Sequence, residues 1–316
     1  MSKISRAMHL LFSSRTQFCD SVVKKFFGWL PDKLYLSLRY RFLMGHWIDW
    51  KNPKTFTEKI QWLKIYNRKP EYTTMVDKYA VKQYVADRIG DEYIIPTLGV
   101  WDKTEDIDWD SLPDQFVLKT THGGGSGGVV ICQDKSKLDK SAAVTKLNES
   151  MRSDIYSNLR EWPYKNVPKR IIAEKFMAPE KSSVSEDFLD NEERYDELKD
   201  YKFFCFNGKV RFFKVDFGRF VEHHANYYDP DGKLLDFGEA DLAPVPNEKV
   251  ELPENLKEMV KLAEQLSKDE PFLRVDLYNV RGKIYFGELT FYPASGMGMW
   301  TNEDVDDLIG SYLNLS

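Results

Sequence analysis

The feature that most constrains the fold is the stretch GGGSGG at residues 123–128, where five of six positions are glycine. The runs QFVLKT at 115–120 and GVVIC at 128–132 enclose it, and both have the apolar, β-branched composition of strands. A loop without Cβ atoms lets the backbone approach a bound group closely. The pattern therefore predicts a strand, a glycine loop and a second strand that returns beside the first.

Three known motifs fit the glycine stretch, and the flanking sequence excludes each of them. The G-x-G-x-x-G dinucleotide motif and the G-x-S-x-G hydrolase motif require a helix directly after the glycines, whereas residues 129–132 are predicted to be a strand. The protein-kinase motif requires its lysine on a strand after the loop, but Lys119 precedes the loop, and the chain has no H-R-D motif. What remains is a flap between two strands whose N–H groups, together with Lys119, bind phosphates.

Two acidic residues lie within the apolar strands of a second predicted hairpin. The turn at Arg281–Gly282 brings Asp276 and Glu288 nearly opposite each other on adjacent strands. Two close carboxylates repel unless a cation lies between them, and Mg²⁺ is the cation that a nucleoside triphosphate requires. Pairing with Arg274 accounts for one acid but not for both. We therefore expect a metal site here, with the hydroxyl of Thr290 two residues beyond Glu288.

A third apolar strand, predicted over residues 170–177, ends shortly before Pro179. Such a strand end can present backbone groups to an adenine edge and apolar side chains to its ring. A following acid such as Glu180 can then bind the ribose hydroxyls. Taken alone, the strand is better explained as ordinary core.

Composition limits the classes of function. A chain of 316 residues that is 42% hydrophobic has enough apolar surface for about two lobes. Its formal net charge of −5 argues against nucleic acid as the main partner. The three cysteines are widely spaced, as in a protein of the reducing cytosol, and no apolar run reaches the ~18 residues of a membrane span. We therefore predict a cytoplasmic protein.

The first 48 residues differ from the rest of the chain in charge. They carry eight lysines and arginines against two aspartates, with aromatic residues interspersed. A helical layer that docks on the main domain is the interpretation we favour for this segment. The alternatives are peripheral contact with the anionic inner face of a membrane or with an anionic polysaccharide.

The remaining sequence alternates between helix and hairpin patterns. Helices are predicted at residues 56–66, 72–89, 136–160 and 253–268. Thr55 or Thr57 is the predicted N-cap of the first helix. The turns Asn207–Gly208 and Arg281–Gly282 predict two hairpins. This mixture indicates an α+β fold rather than a doubly wound parallel sheet.

Several stretches occur together in an order that is typical of one family. They are NPKTFTEKIQW at 52–62, DKYAV at 77–81, IPTLGV at 95–100, VLK at 117–119, DYKFFCFNG at 200–208, RVDLY at 274–278 and GELTFYPASG at 287–296. These stretches resemble the ATP-grasp superfamily, in which ATP lies between two α+β lobes, and most closely its TupA-like family of bacterial teichuronopeptide and surface-polysaccharide synthesis. The resemblance implies an ATP-grasp fold with a helical N-terminal extension (1–70), a preceding segment (71–115), a small lobe with the flap (116–180) and a C-terminal lobe (181–316).

The resemblance also implies roles for individual residues. The phosphates of ATP would be bound by Lys119, Gly124, Gly125, Ser126, Gly127 and Gly128, and adenine by Glu174, Lys175, Phe176 and Met177. The ribose would be bound by Glu180, or alternatively by Asp196 or Asp200. Mg²⁺ would be held by Asp276, Glu288 and Thr290, the last of which stands where the superfamily has asparagine. Lys202 would contact the γ-phosphate, and Arg274, Ser295 and Gly296 would stabilise an oxyanion. His122 is a candidate for contact with the γ-phosphate or the acceptor, or for bracing the loop.

The activity that the resemblance implies is that of an ATP-dependent carboxylate–amine ligase. Such an enzyme forms an amide through an acyl phosphate, here on a saccharide or amino acid, with ATP and Mg²⁺ as cofactors. The alternatives are a kinase or glycosyltransferase that acts on a polysaccharide intermediate, and a nucleotide-binding module without catalysis. The sequence leaves open which carboxylate and amine react, and in which oligomeric state.

Overall fold

The computed structural model describes residues 16, 18–125, 127–177, 198–217, 223–242, 244–245 and 250–315. Within these ranges the strands form two antiparallel sheets on which helices pack, as expected of an α+β fold. No helix in this part of the chain combines the length and the apolar character needed to cross a bilayer.

Helices dominate the first third of the chain and cover the sheets elsewhere. They are α1 (residues 18–26), α2 (Asp32–Met44), α3 (Phe56–Tyr66), α4 (Glu71–Val76), α5 (Ala80–Ile89), α6 (Lys140–Met151), α7 (Ile155–Leu159), α8 (Leu256–Ser267) and α9 (Glu303–Tyr312). Helix α3 has the predicted bounds and the predicted cap at Thr55. The Thr55 hydroxyl accepts the Glu58 N–H, and the Glu58 carboxylate accepts the Thr55 N–H in return, which forms a capping box.

Two of the predicted long helices are interrupted at aspartates. The helix predicted over 72–89 is wrong in its continuity, because Asp77 ends α4 and its carboxylate accepts two N–H groups, at 2.9 and 3.3 Å, where α5 begins. The helix predicted over 136–160 is also wrong in its continuity, because α6 ends at Met151 and α7 begins after Asp154, whose carboxylate accepts the Ser157 N–H at 2.9 Å. Aspartate side chains that bond to nearby backbone groups end one helix and start the next.

The smaller sheet carries the glycine loop. Its strands are β1 (Thr97–Trp101), β2 (Phe116–Thr120), β3 (Val129–Cys132) and β4 (Ile171–Lys175), in the order β1-β4-β2-β3. The predicted strand–loop–strand unit is confirmed, because the glycines join the antiparallel neighbours β2 and β3. Helix α6 packs against this sheet, and Leu118, Leu147 and Ala173 are fully buried in the shared core.

The larger sheet lies between helices. Its strands are β5 (Asp200–Phe206), β6 (Lys209–Phe217), β7 (His224–Tyr228), β8 (Phe272–Val280) and β9 (Lys283–Thr290), in the order β7-β6-β5-β8-β9. Both predicted hairpins are confirmed. Cys205 faces α8, whereas Phe206 and Phe272 face α3, where the Phe56 ring lies 5.1 Å from that of Phe272. Helix α3 is therefore built into the core of the larger sheet.

A β-bulge decides where the acids of the second hairpin point. The turn sets Val280 opposite Lys283, and an unbroken register from there would set Asp276 opposite Gly287. The register shifts at Gly287, so Asp276 lies opposite Glu288 and both side chains share one face. A Cβ on Gly287 would lie 2.9 Å from the backbone oxygen of Asp276, so glycine suits this close approach.

Candidate active site

Arg274 holds both acids of the β8–β9 hairpin. Its guanidinium donates to the two carboxylate oxygens of Asp276 at 2.7 and 2.6 Å and to Glu288 Oε1 at 3.1 Å. The expectation that arginine pairing explains only one acid is therefore wrong. Asp276 is buried, whereas the side chain of Glu288 is 40% exposed. Glu288 is the accessible acid of the pair, and the hydroxyl of Thr290 donates to it at 3.5 Å.

Lys202 lies beside this pair, opposite Asp276 on strand β5. Its ammonium contacts Asp200 and, at 2.6 Å, Asp216. Burial acts to lower the pKa of Lys202, but the surrounding carboxylates raise it above its ordinary value. Lys202 is therefore a fixed positive charge in the middle of the sheet face.

Burial and neighbouring charges act differently on the two hairpin acids. Burial, helped by the carboxylates of Asp200 and Glu288, raises the pKa of Asp276 to about 7 although Arg274 and Lys202 oppose it. Burial also acts to raise the pKa of Glu288, but Lys78 and Arg274 together lower it to about 2. Glu288 is therefore ionised at physiological pH, while the charge on Asp276 depends on the cations around it.

Lys78 connects the acid pair with the glycine loop, and sequence reasoning missed this role. Its ammonium lies 3.2 Å from Glu288 Oε2, and its backbone N–H donates to the Thr121 carbonyl oxygen at 2.9 Å, two residues before the first glycine. The preceding Asp77 pairs with Arg170 at 2.6 Å, and the Arg170 carbonyl accepts the Thr121 N–H. The two sheets therefore meet at one site. The available signal was the place of Lys78 in the family-like stretch DKYAV.

The glycine loop is tight at its stem. A Cβ on Gly128 would lie 2.2 Å from Ser150 Oγ, and one on Gly123 would lie 2.5 Å from Thr120 Oγ1. These two hydroxyls are hydrogen-bonded to each other at 2.7 Å. Larger residues at either stem position would have to displace this pair, so the glycines let the loop pack directly on the end of α6.

The tip of the loop is open. A Cβ on Gly125 or Gly127 would meet nothing within 4 Å, and one on Gly124 would meet only the end of the Ile155 side chain at 3.4 Å. The positions where side chains would stand at the tip are therefore open, which suits close approach of a phosphate to the backbone. Ser126, which was predicted to take part, lies outside the described residues.

Lys119 is held by a buried carboxylate. The two oxygens of Glu174 lie 2.5 Å from Lys119 Nζ and 2.6 Å from Lys82 Nζ. Burial acts to raise the pKa of Glu174, but the two lysines lower it. The carboxylate that was assigned to adenine is thus engaged in bracing Lys119, and sequence reasoning did not identify Lys82.

The remaining adenine candidates lie at the end of β4. The Lys175 N–H donates to the Pro96 carbonyl oxygen at 3.0 Å, which fixes the strand end. Phe176 and Met177 follow and are half-buried. Their contact with adenine stays a prediction, as does the ribose contact. Glu180 and the alternative Asp196 lie outside the described residues, and the alternative Asp200 is buried and contacts Lys202.

His122 is buried at the stem of the loop. Its Nε2 lies 3.2 Å from the carbonyl oxygen of Ser150 on α6. Burial, together with the nearby Lys169, lowers the pKa of His122. Among the alternatives for this residue, the contact with α6 favours bracing of the loop over contact with a substrate.

The turn that was predicted to stabilise an oxyanion has an unusual backbone. Ala294, Ser295 and Gly296 have φ values of 47°, 55° and 63°, and the first two are strained because they carry a Cβ. Gln61 of α3 donates to the carbonyl oxygens of Ser295 and Gly296 at 3.0 and 2.8 Å. Lys64 of the same helix donates to the Ser295 carbonyl and hydroxyl oxygens at 2.8 and 2.7 Å. Helix α3 thus clamps the strained turn, a role that sequence reasoning missed.

The charged side chains form two clusters. The flap cluster is Lys82, Lys119 and Glu174. The hairpin cluster is Lys78, Asp200, Lys202, Lys214, Asp216, Glu239, Arg274, Asp276 and Glu288.

The flap cluster and the hairpin cluster fit ATP and Mg²⁺. The flap cluster has more cations than acids, as phosphates require, and the hairpin cluster has more acids than cations. Asp276, Glu288 and Thr290 offer the oxygen ligands that Mg²⁺ prefers. Among the described residues there is no group of three His, Cys, Asp or Glu side chains that could hold a metal ion. A magnesium ion at these residues would therefore complete its coordination with phosphate and water.

A family model supports the sequence interpretation. The model described as TupA-like ATPgrasp matches residues 58–314. Among curated proteins, none matches the chain significantly. The match begins inside α3 and leaves the basic N-terminal segment outside it.

Solved structures with a related fold are distant in sequence. D-alanine–D-alanine ligase from Bacillus anthracis is 20% identical, over 69% of this chain and 57% of that one, with a TM-score of 0.39. The corresponding ligase from Helicobacter pylori is 14% identical, over 82% and 69%, with a TM-score of 0.41. L-amino acid ligase from Bacillus licheniformis is 15% identical, over 76% and 49%, with a TM-score of 0.43. The chain thus spans between 49% and 69% of their lengths, and similarity at this level does not extend to activity or substrate.

Proposed function

The chain belongs to the TupA-like ATP-grasp family, and we propose that it is an ATP-dependent ligase that joins a carboxylate to an amine. The product would be an amide on a saccharide or amino acid in bacterial surface-polysaccharide synthesis. A uronic acid and an amino acid are the reactants that suit this chemistry. The proposed location is the cytoplasm, which agrees with the unpaired thiols of Cys132 and Cys205.

The observation that carries the proposal is the position of Lys78. Its backbone joins the root of the glycine loop at Thr121, and its side chain joins Glu288 in the hairpin cluster. A phosphate cradle and an acid pair that suits Mg²⁺ are therefore parts of one site. A triphosphate that lies on the loop would extend toward the acids, and its terminal phosphate would lie near Lys78 and Lys202.

The proposed reaction has two steps that these residues can support. A carboxylate oxygen of the substrate attacks the γ-phosphorus of ATP, the bond to the β-phosphate oxygen breaks, and ADP leaves. The amine nitrogen then attacks the acyl carbon, phosphate leaves, and the nitrogen loses a proton. Lys119 and the loop N–H groups would bind the phosphates, and Lys202 and Arg274 would stabilise negative charge that develops on the transferred group and the acyl oxygen. Mg²⁺, when bound at Asp276 and Glu288, would neutralise phosphate charge.

The strained turn after β9 completes the proposed acceptor side. Ser295 and Gly296 follow Glu288 closely in sequence and are clamped by α3. Strained backbone that is held by surrounding structure occurs typically at functional sites. We assign this turn to the oxyanion and the acceptor, with Lys64 and Gln61 as positioning residues.

A trapping assay tests the ligase reaction. Purified protein, ATP and Mg²⁺ are incubated with a panel of uronic acids and amino acids, and hydroxylamine converts any acyl phosphate into a stable hydroxamate. We expect a hydroxamate with one carboxylate of the panel and ADP in equal amount. Lys119→Ala and Asp276→Asn are expected to abolish ATP turnover, whereas the exposed control Lys137→Ala retains it. A phosphorylated sugar without hydroxamate would contradict the ligase proposal and support a kinase, and normal turnover in either site variant would contradict the site.

A further inference from the structure

The turn between α1 and α2 exposes an unusual number of aromatic rings. Phe26 is 60% exposed, Trp29 is 77% exposed and Phe27 is 37% exposed, all within four consecutive positions. Leu34, in the first turn of α2, is 48% exposed. These four residues, here called the aromatic turn, lie outside the part of the chain that the family model matches. Apolar groups concentrated in this way on a protein surface mark a binding site more often than chance exposure does.

Hydrogen bonds fix the backbone of the aromatic turn. The Phe27 N–H donates to the Val23 carbonyl oxygen at 2.9 Å, and the Leu30 N–H donates to that of Phe27 at 3.1 Å. Arg160, from the body of the protein, donates to the Gly28 carbonyl oxygen and pairs with Asp32 at 3.1 Å. The rings are therefore held outward by a braced turn rather than exposed by a fraying chain end.

The one polar side-chain atom of the aromatic turn is already satisfied. Trp29 Nε1 donates to the Phe26 carbonyl oxygen at 3.2 Å. Moving the indole out of water therefore leaves no hydrogen-bond donor unpaired, which is the main penalty of burying tryptophan. The same bond prevents the indole N–H from donating to a sugar hydroxyl. This arrangement suits a hydrocarbon environment better than a polysaccharide.

The charge around the aromatic turn indicates the sign of the charge that its partner carries. Residues 18–48 carry five lysines and arginines against two aspartates, a formal charge of +3, whereas residues 49–316 carry −11. Lys25 flanks the turn with its ammonium 5.5 Å from the centre of the Phe26 ring. Lys24 pairs with Asp20 at 2.7 Å, and Lys33 donates to the Tyr66 hydroxyl at 2.8 Å, so Lys25 is the main positive charge beside the rings. Two positive copies of this surface would repel each other in a symmetric dimer. An anionic surface complements it.

We infer that the aromatic turn and its flanking lysines form a docking surface for an anionic lipid bilayer. The rings enter the boundary between headgroups and acyl chains, and the lysines remain among the anionic headgroups. The acidic remainder of the chain is repelled by the same headgroups, which orients the protein with the N-terminal helices toward the membrane. This docking does not depend on the proposed ligase reaction.

A vesicle-binding experiment with the full chain tests the inference. The protein is sedimented with vesicles of phosphatidylcholine alone or mixed with phosphatidylglycerol, at low and high salt. We expect binding to the mixed vesicles only, weakened by salt because the lysine attraction is screened. The double variant Phe26→Ser/Trp29→Ser is expected to lower affinity by about tenfold or more, since each ring removes apolar contact. Lys25→Glu is expected to lower it by at least about fivefold.

Two control variants distinguish binding through the aromatic turn from nonspecific hydrophobic or electrostatic binding by the rest of the surface. Ile131→Ser removes an apolar side chain that is 52% exposed on β3, and Lys137→Glu reverses a charge whose side chain is 84% exposed. Both controls are expected to bind like the wild type.

Four results would overturn the inference. The first is that the double variant Phe26→Ser/Trp29→Ser binds the mixed vesicles as tightly as the wild type does. The second is that the wild type binds neutral and mixed vesicles equally. The third is that the wild type forms a dimer in sedimentation velocity and that substitution of Trp29 abolishes this dimer. The fourth is binding to soluble polygalacturonate in place of vesicles. Because Phe26 and Trp29 are 60% and 77% exposed, circular dichroism is expected to show unchanged folding. If the double variant does not fold, the single variant Lys25→Glu still tests the inference through its loss of affinity for the mixed vesicles.

Discussion

The flap cluster and the hairpin cluster present opposite charges to the same site. In the flap cluster, two lysines share the single carboxylate of Glu174. In the hairpin cluster, among the residues that the structure describes, five carboxylates contact four lysine and arginine side chains, and His223 lies 3.3 Å from Asp216. One end of the site is therefore left positive and the other negative. This difference in charge favours one orientation of a bound nucleotide. Its negative phosphates lie against the positive flap cluster, and its metal ion lies against the negative hairpin cluster.

The two clusters also differ in how much the fold depends on them. Glu174 keeps a partner if either of its lysines is lost. In contrast, the hairpin cluster is a buried chain of contacts in which Asp276 lies between Arg274 and Lys202. Removing one member of a buried network leaves charge unpaired, which is more costly than the loss of an exposed pair.

The largest expected effect is that of Asp276→Ala. The substitution leaves the buried Arg274 without its bidentate partner, so the free energy of unfolding should fall by about 3–5 kcal/mol. Urea denaturation measures this change. The double variant Arg274→Met/Asp276→Leu removes both charges and should regain most of the stability while ATP turnover stays absent. Wild-type stability in Asp276→Ala would show that the hairpin cluster does not hold the sheet face together.

A smaller effect distinguishes the two lysines of the flap cluster. Lys119→Met and Lys82→Met each remove one cation from Glu174, but only Lys119 lies on the strand that enters the glycine loop. We expect Lys119→Met to weaken ATP binding by more than about tenfold, the value of one charge-assisted hydrogen bond. Lys82→Met should weaken it less. Isothermal titration calorimetry with ATP compares them, and equal losses would mean that both lysines act only through Glu174.

The smallest expected effect concerns pH. The pKa of Glu288 is about 2 in the folded protein against an ordinary value of 4.5, because Lys78 and Arg274 outweigh burial. Its stabilising contribution is therefore complete above about pH 4.5 and is lost as the pH falls through 2. Denaturation of the wild type and Glu288→Gln across this range should show a difference that shrinks toward acid. A difference that stays constant with pH would contradict the ion pairs of Glu288.

Local sequence predicted much of the fold. The capping box at Thr55 and Glu58, the turn at Asn207–Gly208 and the strands around the glycine loop each depend on residues only a few positions apart. Such signals act within one turn or one hairpin, so they do not depend on the tertiary contacts of the rest of the chain. The errors over 72–89 and 136–160 have a related cause, because periodicity continued across Asp77 and Asp154 while their side chains bonded to the backbone.

The partners of the predicted site residues were much less predictable. Glu174 was expected at adenine, which stays a prediction, and sequence reasoning did not foresee that its carboxylate braces Lys119 through a contact between neighbouring strands. Lys78 and Lys82 lie on or beside α5, about 200 and 90 positions away from the acids they contact. No spacing rule connects residues so far apart.

By itself, the sequence determined the strand–loop–strand flap, the hairpin that carries Asp276 and Glu288, and the family. Only the tertiary structure decided how those acids are used. The bulge at Gly287 turned Glu288 onto the face of Asp276, and packing of α5 and α3 brought Lys78, Gln61 and Lys64 to the site. The physical reason is range: caps and turns are fixed by neighbours in the chain, whereas charge pairing and close packing are fixed by whichever residues the folded chain brings together.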